Sequence, residues 1–75
     1  MGHGVRVTEL VGIGTKYELE RPGRQRVALV VHKDGTREIY AFDPGDSGEP
    51  KAVVRLDEDE AKRLAAVLSG TFFSD

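Results

Sequence analysis

The amino-acid sequence predicts an α+β domain: about five strands in a twisted antiparallel sheet, curling towards a small barrel, with one C-terminal helix packed on it. Three observations predict this. Short alternating apolar runs are separated by turns bearing glycine and proline. Asp34-Gly35 lies between two such runs, as in a tight hairpin. Asp57 and Glu60 then bracket the start of a stretch whose apolar residues recur at helical spacing.

The first strand is expected over Val5 to Leu10, followed by a glycine-rich turn over Val11 to Thr15. Lys16 to Arg21 alternates, with Tyr17 and Leu19 on the core side and Glu18 and Glu20 on the other. Pro22-Gly23 has the chemistry of a type II turn, proline fixing the second position and glycine supplying positive φ at the third. Gln25 to His32 is apolar on both faces and is the best candidate for a central strand.

Asp34-Gly35 predicts a two-residue type I′ hairpin, which sets Lys33 opposite Thr36, Val31 opposite Glu38, Leu29 opposite Tyr40 and Val27 opposite Phe42. Val27, Leu29, Val31, Tyr40 and Phe42 then share the face expected to look into the core. Ala28, Val30, His32, Arg37, Ile39 and Ala41 share the other. Asp43 to Pro50 reads as a loop, and Lys51 to Leu56 as a further strand. Asp57 caps the helix, Glu60 completes an acidic capping box, and Gly70 stops it. Ala61, Leu64, Ala65 and Leu68 form the stripe expected to cover the sheet, so that Leu64→Asp should unfold the domain.

Seventy-five residues make one small domain, 1–75, with Met1 to Gly4 read as a disordered start or tag remnant and residues 71–75 as a tail or the beginning of a linker. At this size only about 60% of the unfolded chain's surface is buried on folding, so a missing partner is expected. Eleven Lys and Arg against thirteen Asp and Glu leave a net charge of -2, which argues against a general nucleic-acid binder. The absence of cysteine excludes disulfides, thiolate metal sites and cysteine nucleophiles. No run approaches the roughly 20 apolar residues of a membrane span.

Gly12-Ile-Gly14-Thr-Lys16 invites comparison with phosphate loops, yet both patterns fail. Tyr17 stands where a dinucleotide fingerprint needs glycine, and Thr15 and Lys16 are in the reverse of the P-loop order. No helix follows to present its N–H groups to an anion, so the glycines are read as a strand-to-strand turn. His32 is expected on the surface across from Arg37, a cation that would oppose its protonation. Asp57-Glu58-Asp59-Glu60 lacks the staggered ligands and turn glycine of a calcium loop, and helix capping accounts for it. Ser47, Ser69 and Ser74 have no histidine–acid pair placed beside them, and the chain is read as a non-enzyme with no cofactor or metal site. Phe72 and Phe73 follow the helix stop and are costly to leave in water. Either they fold back on the core or they dock against something outside this chain.

Val7-Thr-Glu-Leu-Val-Gly-Ile-Gly-Thr-Lys-Tyr-Glu-Leu19, Val31-His-Lys-Asp-Gly-Thr-Arg-Glu-Ile-Tyr-Ala-Phe42 and Leu56-Asp-Glu-Asp-Glu-Ala61 occur in an order that resembles one family. It is the N-terminal domain of KhtT-like regulatory subunits of bacterial cation/proton antiporters. The resemblance implies a non-enzymatic domain that controls a potassium/proton antiporter through protein contacts, in a cytoplasmic subunit at the inner face of the membrane. It implies further partners: a sensor module of the TrkA C-terminal type, where any nucleotide would bind, and a second copy of the subunit. On this reading Phe72 and Phe73 lie at the join to the next module, and Val30 and Ile39 are further candidate contact residues. The competing reading is a small-barrel nucleic-acid module, with Arg21, Arg24 and Arg26 on phosphates and Tyr17 and Tyr40 stacked on bases.

Overall fold

A computed structural model describes residues 4–44 and 48–71. Five strands and one helix occur in chain order: β1 (Val5–Leu10), β2 (Gly14–Leu19), β3 (Arg26–His32), β4 (Arg37–Phe42), β5 (Ala52–Leu56) and α1 (Glu58–Ser69). All neighbouring strands are antiparallel in a simple meander, β1-β2-β3-β4-β5, with β3 central as its apolar sequence predicts. The sheet is open, β1 and β5 forming its two edges, and does not close into a barrel.

The β1–β2 turn shows why its glycines are needed. Ile13 N–H donates to the Leu10 carbonyl at 2.9 Å, and Gly12 takes φ 79°. Gly14 passes so close to β3 that a Cβ there would lie 2.0 Å from the Val31 carbonyl oxygen. The sequence reading of a structural turn is therefore correct. At Pro22-Gly23, Arg24 N–H donates to the Arg21 carbonyl at 2.9 Å and Gly23 has φ 74°, the type II geometry expected. Gly4, expected in a disordered start, instead accepts from Glu20 N–H at 2.7 Å.

The β3–β4 hairpin differs from expectation by one residue, with large consequences. Its loop has three residues, Lys33, Asp34 and Gly35: His32 N–H donates to the Thr36 carbonyl at 2.8 Å and Gly35 N–H to the His32 carbonyl at 3.0 Å. Asp34 Oδ1 accepts from Thr36 N–H at 2.9 Å, and only Gly35 has positive φ, at 97°. A type I′ turn needs positive φ at both positions. The local bond made by the Asp34 carboxylate accompanies the other solution, a type I turn closed by glycine. The register becomes Val30↔Glu38, Leu29↔Ile39 and Ala28↔Tyr40. One residue of slip sends Tyr40 and Phe42 to the face opposite Val27, Leu29 and Val31.

The two faces of the sheet are consequently unlike. On one, the row Val7–Tyr17–Leu29–Ile39–Val54 runs across all five strands, beside the row Val5–Leu19–Val27–Ala41–Ala52. A third row, Glu9–Thr15–Val31–Arg37–Leu56, holds the only charges of these three strand rows. The other face carries Lys16, Val30, Glu38 and Arg55 in one row, with Ala28 and Tyr40 alongside. The buried residues are on this second face: Ala28, Val30 and Glu38. Among the described residues the apolar face stays open. Val7 is 59% exposed, and Tyr17 and Leu19, expected in the core, are also exposed.

The helix termini are as predicted. Asp57 and Glu60 form a reciprocal capping box, and Gly70 adopts φ 78° in a Schellman-type end, Thr71 N–H donating to the Ala66 carbonyl at 2.9 Å. The predicted cover is not there. No residue of α1 is buried, Leu68 is exposed, and the helix's strand neighbour is β5. A longest dimension of 42 Å accommodates a five-residue strand continued by a twelve-residue helix, together about 35 Å at ~3.3 and ~1.5 Å per residue.

Two substitutions separate these findings in urea denaturation. Gly14→Ala must displace the β3 backbone and is expected to cost about 2 kcal/mol or more. Leu64→Asp, on a half-exposed helix position, is expected to cost no more than about 1 kcal/mol.

Candidate functional site

The polar face is organised around Glu38, the second residue of β4. Its register puts Val30 on one side and Arg55 on the other, with Tyr40 two residues along the same strand and His32 diagonally across on β3. Glu38 Oε1 lies 2.6 Å from His32 Nε2 and accepts from the Tyr40 hydroxyl at 2.8 Å. Glu38 Oε2 accepts from Arg55 Nη2 at 2.7 Å and Nε at 3.1 Å. The contacts from His32, Tyr40 and Arg55, in that order, pull the Glu38 carboxyl down to about 2. The same carboxylate pushes Tyr40 and Arg55 upward. Four contacts from three side chains fill the acceptor positions of the Glu38 carboxylate, so the cluster ties β3, β4 and β5 together. His32 thus faces Glu38 and not Arg37, which the true register sends to the opposite face.

Two further surfaces bear on function. A shallow basin by the Pro22-Gly23 turn gathers Arg6, Arg21, Arg24 and Arg26, but Glu18 and Glu20 line it too, and Arg6 approaches Glu18 at 4.0 Å. Arg26 also lies over the Phe42 ring, 4.6 Å from its centroid. The other surface is the apolar face, where Val5, Val7, Tyr17, Leu19 and Val54 are each at least 36% exposed. A contiguous apolar patch of this kind on a small domain marks an interaction site. Among the described residues no group of three or more His, Asp or Glu side chains is placed to hold a metal ion. No described helix is long and apolar enough to cross a membrane.

Residues 3–72 match the family model described as K(+)/H(+) antiporter subunit KhtT, N-terminal domain. The chain belongs to that family. It is 36% identical over 69 residues to the K(+)/H(+) antiporter subunit KhtT of Bacillus subtilis, covering 92% of this chain and 42% of that protein. It is 42% identical over 66 residues to YrvC of the same organism, covering 88% of this chain and 40% of YrvC. The ammonium/H(+) antiporter subunit AmhM of Alkalihalophilus pseudofirmus is 33% identical over 66 residues, covering 88% of this chain and 40% of AmhM. The chain therefore spans about two-fifths of the length of these relatives.

The residues singled out from sequence are scattered by this fold. Val30 is buried on the Glu38 face, whereas Ile39 is half-buried on the apolar face. They were expected side by side, and the one-residue change of register separates them. Phe72 and Phe73 lie outside the described residues. Glu38, Arg55 and the apolar rows were missed as groupings. The available signal was a charged residue inside each of two otherwise largely apolar strands, Glu38 second in β4 and Arg55 fourth in β5.

Glu38 binds its proton less readily in the folded than in the unfolded chain. Its stabilising contribution is therefore complete above its ordinary value of 4.5 and is lost as pH falls towards about 2. Urea midpoints measured across that interval should fall for the natural chain. Glu38→Gln is expected to lower stability by roughly 1–3 kcal/mol near neutral pH and to flatten the acid dependence.

Proposed function

We propose that this chain is a non-enzymatic regulatory domain of a subunit that controls a monovalent cation/proton antiporter through protein–protein contacts. Its membership of the KhtT N-terminal domain family carries the reading, since two relatives bear the names of antiporter subunits. The Glu38 cluster supports it, because its ionisable groups are spent on one another. The exposed apolar face supplies a surface for a protein. In the complete subunit we place the domain at the inner face of the membrane, potassium as the transported ion, and a TrkA C-terminal-type module as the sensor. Any nucleotide would bind in that module and not here. A second copy of the subunit completes the assembly.

The nucleic-acid alternative is weaker on this structure. Tyr17 and Tyr40 point to opposite faces of the sheet and cannot form one stacking platform. The arginine basin is interrupted by Glu18 and Glu20. Tagged subunit carrying this domain should retain its antiporter through membrane solubilisation and purification. Vesicles containing the antiporter should differ in cation-dependent proton flux with and without the subunit. Equal flux, with no retention, would remove the regulatory reading.

A further inference from the structure

We infer that the Arg21-Pro22-Gly23-Arg24 turn is a membrane-contacting tip, which docks the domain on the phosphate headgroups of an anionic lipid surface. The inference deepens the proposed function: it takes from that reading the placement beside a membrane and adds the surface that meets it. It starts from the turn itself. Arg24 N–H closes on the Arg21 carbonyl at 2.9 Å, Pro22 fixes one central φ, and Gly23 supplies the other at 74°. A turn closed in this way holds the Cα atoms of Arg21 and Arg24 within about 7 Å of each other. Two guanidiniums therefore share one short, stiff support and can reach one phosphate or two neighbouring ones. Neither Arg21 nor Arg24 makes an ion pair among the described residues.

The charges around the turn favour the same contact. Arg6 and Arg26 line the same basin, Arg6 with 67% of its side chain exposed and Arg26 over the Phe42 ring. Glu18 lies 4.0 Å from both Arg6 and Lys16, between two cations. With four arginines against Glu18 and Glu20, the lining holds a surplus of two positive charges. The whole chain is at -2, so the remainder carries -4. An anionic surface repels that remainder and orients the domain tip first. The two glutamates interrupt the continuous path that a nucleic-acid strand would follow, whereas a flat surface meets only the tip.

Shape decides between a lipid surface and a soluble phosphate ester. The turn joins β2 to β3 at the end of the sheet where β1 begins and β4 ends, and α1 follows β5 from the opposite end. The tip can thus rest on a surface while the helix leads away from it. A basin this shallow cannot bury most of a small ligand, as sites for soluble molecules do. Leu19, 47% exposed at the basin's edge, sets an apolar group beside the arginines, as interfacial segments do. Each basic residue near such a surface strengthens binding about five-fold, which places half-binding at roughly 1–10 mM accessible lipid. That is weak for a free chain. It is adequate for a domain whose subunit already holds it beside the membrane, where the effective concentration is itself about millimolar.

Co-sedimentation of the 75-residue chain with vesicles tests the proposal, using phosphatidylcholine alone or with about one-third phosphatidylglycerol. The expected result is binding to the anionic vesicles only, weakened at least about ten-fold between roughly 0.05 and 0.3 M salt. Arg21→Gln with Arg24→Gln should weaken it about ten-fold or more. Lys62→Gln with Arg63→Gln, the same change of charge on α1, should alter it by less than about three-fold. Circular dichroism melts identify a variant that fails to fold, and Arg24→Gln alone, at an exposed position, should still cost about five-fold. No binding at about 20 mM lipid overturns the proposal, as does equal binding to neutral vesicles or equal loss from both paired variants. Glycerol phosphate that displaces the chain beyond chloride of equal ionic strength would indicate a site for free phosphate esters and overturn it too. So would tighter binding to a single-stranded oligonucleotide than to vesicles at equal phosphate. The antiporter is absent from this assay, so vesicle binding can fail while flux regulation stands, and the reverse.

Discussion

The register of β3 on β4 is the constraint on which the rest of the molecule depends. Three residues, Lys33 to Gly35, close its turn, and one carboxylate, Asp34, holds the Thr36 amide there. Side chains alternate with a period of two, so the turn decides which face every residue of β4 occupies. With this turn, Glu38 meets His32 and Arg55, and Ile39 joins Leu29 and Val54. With a two-residue turn, Glu38 would stand opposite Val31, among the side chains that now form the apolar face. Electrostatics and hydrophobic sorting therefore favour the same register. The Glu38 cluster is the polar counterpart of the apolar rows, and each would be broken by the slip that breaks the other.

The fold is a sheet before it is a core. Its buried residues are confined to the Glu38 face, where Ala28 and Val30 pack beside a satisfied carboxylate. Tyr40 and Phe42 stack there at 6.4 Å between ring centroids, and Pro50 and Gly48 share a pocket with them. Backbone pairing along a five-strand meander keeps contacts local in sequence, which favours rapid folding. A sheet covered on one side by a loop and, among the described residues, left open on the other buries little apolar area, and its free-energy margin is correspondingly small.

What could be read from sequence follows the range of the interactions involved. The helix ends were legible because capping is decided within four residues, by Asp57, Glu60 and Gly70. The central place of β3 was legible because its sequence is apolar on both faces. The type II turn at Pro22-Gly23 followed from two residues. The hairpin register was not legible, because Asp-Gly serves both a two-residue and a three-residue loop, and the choice rests on partners four or more residues away. The helix packing failed for a related reason. A stripe of Ala61, Leu64, Ala65 and Leu68 records that a helix has an apolar side, not which surface that side meets. Arg55 and Glu38 are seventeen positions apart, and only the register of two strand pairs makes them neighbours.

A domain with a small margin of its own responds strongly to whatever covers it. Any partner that binds the folded sheet and not the unfolded chain stabilises it in proportion to the logarithm of its concentration over its dissociation constant. For a domain whose apolar face is open across five strands among the described residues, association and folding are thus parts of one equilibrium. The Glu38 cluster limits how far that coupling reaches, because it fixes strand register from the opposite face whether or not a partner is present. The partner then finds its rows already aligned, and the ordering entropy of the strands has been met before contact. A surface prepared in this way can exchange partners without refolding.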